Sequence, residues 1–152
     1  MSEVCLLDVS VLIALIWSSH AAHDLVKNWL AKYATAGWAS CAITQAGFVR
    51  IISSPAFSPM FLKVTDAVAL LELNLGHPGH TFWAMDVSFP ETVRDFQQRL
   101  LGHQQVTDAY LLGLALHRGG RLVTLDKSLP FLLEEANRNR DKITVLSLGS
   151  NV

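Results

Sequence analysis

The sequence predicts an α/β domain in which helices cover both faces of a central, mostly parallel sheet of four to five strands. Short apolar runs alternate with helical patterns along the chain, as they do in βαβ units. The chain has 152 residues, of which 51% are apolar and 16% are charged. This length is usual for one domain, and this composition is sufficient to bury a core. We therefore expect a single domain over residues 1–152 with a three-layer αβα architecture.

Each element is predicted from its periodicity and from the residues at its ends. Strands are expected where short apolar runs stop at polar or turn residues, at 4–7, 37–42, 81–84, 121–125 and 143–146. Helices are expected where apolar residues recur every three or four positions, from 11 onward and at 20–34, 44–52, 66–75, 90–100, 107–117 and 128–137.

Composition and the N-terminus narrow the class of protein. The longest apolar stretch, 4–17, includes Asp8 and Ser10 and is shorter than the roughly 18 residues of a membrane span. The first three residues lack the positive flank of a secretory signal, so we expect a cytoplasmic protein without a membrane partner. A formal charge of −1 disfavours nonspecific coating of nucleic acid, although it permits local binding of RNA.

Three aspartates and one glutamine are expected to converge at one edge of the sheet. Asp8 and Asp126 each follow a predicted strand directly, and ligand sites in open parallel sheets form beyond the carboxyl ends of strands. Asp108 lies in the first turn of a predicted helix, where it heads the stripe of apolar residues that faces the core. Gln45 heads the core-facing stripe of another helix in the same way.

Each of these four residues also has a purely structural interpretation. Asp108 could only complement a helix dipole, Asp126 could be a turn or capping residue, and Gln45 could be a buried amide bonded to backbone. For Asp8 we favour a functional role, because burying a carboxylate inside an apolar run is energetically unfavourable unless the carboxylate is paired or metal-bound.

Taken together, the carboxylates indicate a metal site. Several carboxylates at one edge of a sheet repel each other unless a cation lies between them. Ligation by oxygen alone favours Mg²⁺ or Mn²⁺, and these ions serve phosphoryl chemistry. The sequence therefore predicts an enzyme that acts on phosphate esters.

Further side chains are candidates for contacts around the cluster. Ser10 and Thr124 lie beside it in the sequence and would orient a water or a phosphate, or else cap backbone groups. Lys127, Arg50 and His103 would contact substrate phosphates, although isolated basic residues usually only solvate a surface.

Two histidines have the spacing of a metal-binding pair on a helix. His20 and His23 are three residues apart, but the sequence offers no third ligand near them. A solvated helix start is the preferred interpretation.

Four segments resemble the motifs of the PIN-domain family, in particular its VapC-type toxins from bacterial toxin–antitoxin pairs. In order they are LLDVSVL at 6–12, TQAGFVR at 44–50, QVTDAYLL at 105–112 and LVTLD at 122–126. Each motif alone is weak, whereas the ordered set spans nearly the whole chain. The resemblance implies a homodimeric endoribonuclease that depends on Mg²⁺ or Mn²⁺, cleaves RNA and is neutralised by a cognate antitoxin protein covering the active site.

Under this resemblance the expected site has three parts. The metal ligands are Asp8, Asp108 and Asp126, the catalytic set adds Gln45, Thr124 and Ser10, and the substrate contacts are Lys127, Arg50 and His103. Many PIN nucleases carry Glu where this chain has Gln45. Glutamine keeps an oxygen ligand but loses a negative charge, which leaves the affinity for a second ion open.

Three alternatives are weighed against this interpretation. A phosphatase of the haloacid-dehalogenase type needs a second aspartate two residues after the first, where this chain has Ser10. A response-regulator receiver needs paired acids on its first strand, which this chain lacks. A degenerate PIN module that binds RNA or a protein without cleavage remains the main alternative, supported by Gln45 and opposed by the three intact aspartates.

Overall fold

Five short parallel strands form the sheet in the computed structural model, which describes residues 3–57 and 62–148. The strands are β1 Cys5–Leu7, β2 Trp38–Ser40, β3 His80–Phe82, β4 Arg121–Thr124 and β5 Ile143–Val145. They lie in the order β3-β2-β1-β4-β5, and every pair is parallel. The predicted sheet is therefore confirmed, with each strand somewhat shorter than expected. The ends of the expected domain 1–152 fall outside the described residues.

The winding direction of the chain reverses at β1. The chain proceeds from β1 to β2 and β3 on one side, and then returns to place β4 and β5 on the other side. Cys5 pairs with Trp38 of β2 and with Arg121 of β4. The carboxyl ends of β1 and β4 consequently border the crevice where open α/β sheets bind ligands.

Six α-helices cover the sheet in the described part of the chain. They are α1 Val9–Ile16, α2 His23–Tyr33, α3 Ala42–Ile52, α4 Val64–Leu75, α5 Phe89–Val93 and α6 Val106–His117. None of the described helices is long and apolar enough to cross a membrane.

Two apolar cores lie on opposite faces of the sheet. Side chains of β1 alternate between them: Cys5 and Leu7 join the core with α1 to α4, and Leu6 joins the core with α5 and α6. A strand buried on both faces is apolar at every position, which explains the continuous apolar run that predicted β1.

Two predicted helices are wrong in extent. The helix expected at 128–137 is a 3₁₀ turn, Leu129–Leu132, because Pro130 cannot donate a backbone hydrogen bond and Leu133 becomes extended as it enters the core. The helix expected at 90–100 is split into α5 and a 3₁₀ turn, Gln97–Arg99, since Phe96 leaves the helical region where it is buried.

Helix starts also differ from the prediction. Thr44 does not cap α3: the helix begins two residues earlier with Cys41 as its N-cap, and the Thr44 hydroxyl accepts a hydrogen bond from the Cys41 N–H at 3.0 Å. The loop expected at 102–105 contains a 3₁₀ turn, His103–Gln105, that leads directly into α6.

Candidate active site

Asp8 is fixed at the junction of β1 and α1, where it caps the helix. Its Oδ1 accepts hydrogen bonds from Ser10 Oγ at 2.7 Å and from the Val11 N–H at 2.9 Å. Its Oδ2 accepts a hydrogen bond from the Thr124 hydroxyl. The residue is only 5% exposed, and burial raises the pKa of the Asp8 carboxyl although these hydrogen bonds oppose that rise. The carboxylate is thus held in one orientation.

Thr124 connects Asp8 to Asp126. Thr124 ends β4 and is fully buried, and its hydroxyl oxygen accepts a hydrogen bond from the Asp126 N–H at 3.0 Å. Asp126 is exposed, and its Oδ1 accepts hydrogen bonds from the Ser128 N–H at 2.9 Å and from Ser128 Oγ at 2.7 Å. Asp126 therefore organises the turn after β4 while its carboxylate faces the crevice.

Asp108 contributes the third carboxylate from the first turn of α6. Burial, together with the negative charges of Asp8 and Asp126, raises the pKa of Asp108 to about 6. The three carboxylates therefore act on one another electrostatically although they come from three separate segments.

A pocket of about 410 Å³ contains these three carboxylates. Its polar end also includes Ser10 and Thr107, and one further polar side chain, His20, lines it. The remaining wall is apolar and comes from α1, α3, α6 and the segment after α3, at Val9, Ile13, Ile51, Phe57 and Leu111. The pocket combines an acidic end with an apolar surface.

The donor set of this pocket fits a hydrated hard cation. Within residues 3–57 and 62–148, no three His, Cys, Asp or Glu side chains are close enough to form a complete set of ligands around one ion. Mg²⁺, however, keeps several waters and is commonly held by only one or two carboxylates. The raised pKa of Asp108 also indicates negative charge that a cation would neutralise. The carboxylates thus suit Mg²⁺ or Mn²⁺ better than a softer metal.

Gln45 lies outside this pocket, in a neighbouring groove between α3 and α4. Its Nε2 donates a hydrogen bond to Ser40 Oγ at 3.0 Å. Ser40 Oγ lies 2.7 Å from His80 Nε2, and His80 Nδ1 lies 3.1 Å from the Leu75 carbonyl oxygen. Burial lowers the pKa of His80, which favours the neutral ring with Nδ1 donating to Leu75 and Nε2 accepting from Ser40. The amide of Gln45 therefore begins a chain of hydrogen bonds.

Changing Gln45 to Glu should destabilise the protein by about 1 kcal/mol, because a carboxylate cannot donate to Ser40. Urea unfolding at neutral pH measures the difference. Gln98→Glu is the matched control, since Gln98 is exposed and the same charge is added there. An equal effect of the two variants would contradict a role for the amide in this chain.

The three expected substrate contacts lie outside the pocket. Lys127 is exposed in the turn after Asp126, Arg50 is exposed on α3 beside the groove of Gln45, and His103 is exposed in the 3₁₀ turn before α6. The pocket instead includes His20, for which the sequence offered only its spacing from His23.

Comparisons with known proteins agree with this architecture. A family model described as PIN domain matches residues 5–131. The chain is 42% identical over 132 residues to Ribonuclease VapC38 of Mycobacterium tuberculosis (strain ATCC 25618 / H37Rv), in an alignment that covers 87% of this chain and 92% of that protein. It is 44% identical over 124 residues to Ribonuclease VapC44 of the same species (strain CDC 1551 / Oshkosh), in an alignment that covers 82% of this chain and 87% of that protein.

A solved structure has the same fold. It is the crystal structure of VapBC2 from Rickettsia felis bound to a DNA fragment from their promoter, with a TM-score of 0.60 and 12% sequence identity. The alignment covers 95% of this chain and 98% of that chain. At 12% identity, the similarity to this structure establishes only a shared fold.

Proposed function

This chain belongs to the PIN-domain family, and we propose that it is a divalent-metal-dependent endoribonuclease, the toxin of a VapBC-type toxin–antitoxin pair. The observation that carries the proposal is the placement of Asp8, Asp108 and Asp126 around one pocket at the reversal point of the sheet. The relatives with 42% and 44% identity are named ribonucleases, which supports RNA as the substrate.

Asp8, Asp108 and Asp126 are proposed to hold Mg²⁺ or Mn²⁺. Bound there, such an ion would supply positive charge to the phosphate oxygens and acidify the attacking water. Asp8 suits the role of a fixed ligand because Ser10 and Thr124 hold its two oxygens in place. Hydrolysis joins the water oxygen to phosphorus as one P–O ester bond breaks and the leaving oxygen takes up a proton, and we propose that Asp126 accepts a hydrogen bond from the attacking water.

The apolar wall of the pocket suits the face of an RNA base. Phe57 contacts Trp17 edge-to-face with ring centroids 5.3 Å apart, and this contact holds the Phe57 ring at the rim of the pocket. A base reaches such a wall only when it is unstacked and unpaired, so the proposed substrate is single-stranded RNA. Lys127, Arg50 and His103 are proposed to contact RNA that extends beyond the pocket.

Incubation of the purified protein with total RNA tests the proposed activity. We expect fragments in Mg²⁺ or Mn²⁺, and none when a chelator is present, because the three carboxylates then repel the phosphate. Intact RNA under every metal condition would contradict cleavage. Binding of RNA without cleavage would instead support a degenerate PIN module.

The same family assignment supports a proposal for the assembly and location of the protein. We propose a homodimer, a cognate antitoxin partner and a cytoplasmic location. Exposed apolar residues on α4, among them Val64, Val68 and Leu73, are available for a contact with a second chain. Light scattering at micromolar concentration should give twice the 16.7 kDa mass of one chain, and a strictly monomeric mass would contradict the dimer.

A further inference from the structure

His20 lines the pocket that contains the three carboxylates, but no role has so far been assigned to it. The Ala22 N–H donates a hydrogen bond to His20 Nδ1 at 2.9 Å. A ring nitrogen that accepts a hydrogen bond carries no proton, so the proton of the neutral ring is on Nε2. His23 differs, because its Nδ1 lies 2.8 Å from the Ala14 carbonyl oxygen and ties α2 to α1. His20 thus has a fixed ring whose remaining nitrogen is a donor.

The pocket extends along α1 from Asp8 to His20. Asp8 caps the start of the helix, Ser10 and Ile13 line the pocket from one helical face, and His20 follows the end of the helix. Eight residues of α-helix span about 12 Å. His20 is thus separated from Asp8 by the whole of α1 in the chain, and both side chains line the same pocket.

Few of the side chains that line this pocket can donate a hydrogen bond. Among the eleven lining residues in the described part of the chain, His20 alone carries a side-chain N–H group. Two hydroxyl groups also line the pocket: that of Ser10 already donates to Asp8, and that of Thr107 is next to Asp108 in the chain. Where the RNA strand continues past the proposed metal site, a donor elsewhere in the pocket can hold a second backbone phosphate in place.

We propose that His20 Nε2 donates a hydrogen bond to an RNA backbone phosphate adjacent to the scissile one. The inference rests on the proposed ribonuclease function and makes His20 a positioning residue for the substrate. Removing this contact weakens binding of RNA and leaves the chemistry at the carboxylates in place.

Two substitutions test the contributions of the two ring nitrogens of His20 separately. In His20→Asn the side-chain oxygen occupies the place of Nδ1 and still accepts from the Ala22 N–H, whereas the donor at the place of Nε2 is lost. In His20→Gln the amide reaches the place of Nε2, whereas the acceptor for Ala22 is lost. His117→Asn is the control, because His117 is exposed at the opposite end of α6 from Asp108.

Binding of a short single-stranded oligoribonucleotide tests the contact. Each histidine variant is combined with Asp108→Asn, which removes one repelling charge and is expected to block cleavage, and affinity is read by fluorescence anisotropy in Mg²⁺. We expect His20→Asn to weaken binding about tenfold, and His20→Gln and His117→Asn to change it less than about threefold.

An oligomer of the same sequence with neutral methylphosphonate linkages identifies the group that His20 contacts. The affinity of this oligomer should depend less on His20, because a hydrogen bond from His20 Nε2 to a neutral methylphosphonate oxygen is weaker than one to a charged phosphate oxygen. Equal weakening of both oligomers, or a larger loss in His20→Gln than in His20→Asn, would overturn the proposal.

Cleavage by the single variants supplies a second readout. With Asp108 intact, His20→Asn should raise KM about tenfold and change kcat less than about threefold, because a uniform binding contact is removed. A loss confined to kcat would overturn the positioning role. If the wild type does not cleave RNA at all, the proposed function fails, while the comparison of the two oligomers still decides the contact of His20.

Discussion

Replacing Asp8 by Asn should reduce metal-dependent RNA cleavage by at least about 100-fold while the fold is retained. The substitution keeps the shape of the side chain, and the amide oxygen can still accept from Ser10 and from the Val11 N–H. The substitution puts an amide nitrogen in place of the oxygen that accepts from the Thr124 hydroxyl, and it removes one negative charge at the centre of the proposed metal site. The rate of cleavage in Mg²⁺ and the circular dichroism spectrum measure the two effects.

Asp86→Asn is the matched control for this substitution. Asp86 forms an exposed ion pair with Arg118 at 3.0 Å. Arg118 follows the far end of α6, about 15 Å along the helix axis from Asp108. The control should cleave RNA like the wild type. If Asp8→Asn is folded and cleaves as fast as Asp86→Asn, the assignment of Asp8 to the metal site is wrong.

Asp8 and Asp126 could be placed from the sequence because their signals are local. Each follows an apolar run, and parallel strands bring their carboxyl ends to one edge of the sheet whatever the loops do. Asp108 could be placed from the stripe at Leu111, Leu112 and Ala115, which is buried as predicted, although α6 is in fact buried on all sides from Ala109 to Ala115. The roles of these residues stay predictions.

The hydrogen-bond partner of Gln45 could not be predicted from the local sequence pattern. The stripe on α3 predicted a side chain directed inward, and Gln45 is half-buried, but its amide donates to Ser40 at the end of β2, whose hydroxyl lies beside His80 of β3. Ser40 Oγ, a hydrogen-bond acceptor at the end of β2, thus determines the direction of the amide.

His20 was missed for a similar reason. Its position in the pocket depends on the course of the chain between α1 and α2, and loops have no periodicity from which their direction can be predicted. Likewise, the helix expected at 128–137 satisfied a helical pattern, but the burial of Leu129, Leu132 and Leu133 is achieved by a 3₁₀ turn followed by an extended residue.

Asp108→Asn should make the metal-free protein more stable above pH 6. Burial and the nearby charges raise the pKa of Asp108 from 3.8 to about 6, so the folded state binds a proton between about pH 4 and pH 6 that the unfolded state releases. The stability of the wild type therefore falls as pH rises through this window and does not recover above it. We expect Asp108→Asn to regain about 1 kcal/mol, because solvent screens the repulsion on this partly exposed carboxyl and because an amide also loses hydration on burial.

Urea unfolding of the metal-free proteins from pH 4 to pH 8 measures this effect, and Asp24→Asn is the control. Asp24 is exposed in the first turn of α2, so its loss should cost about 0.3–1 kcal/mol of helix-dipole stabilisation. The two variants thus shift stability in opposite directions at about pH 7.5.

Added Mg²⁺ should raise the unfolding temperature of the wild type by mass action and raise that of Asp108→Asn much less. A pH dependence that Asp108→Asn leaves unchanged, together with an undiminished response to Mg²⁺, would remove Asp108 from the charge cluster and from the metal site.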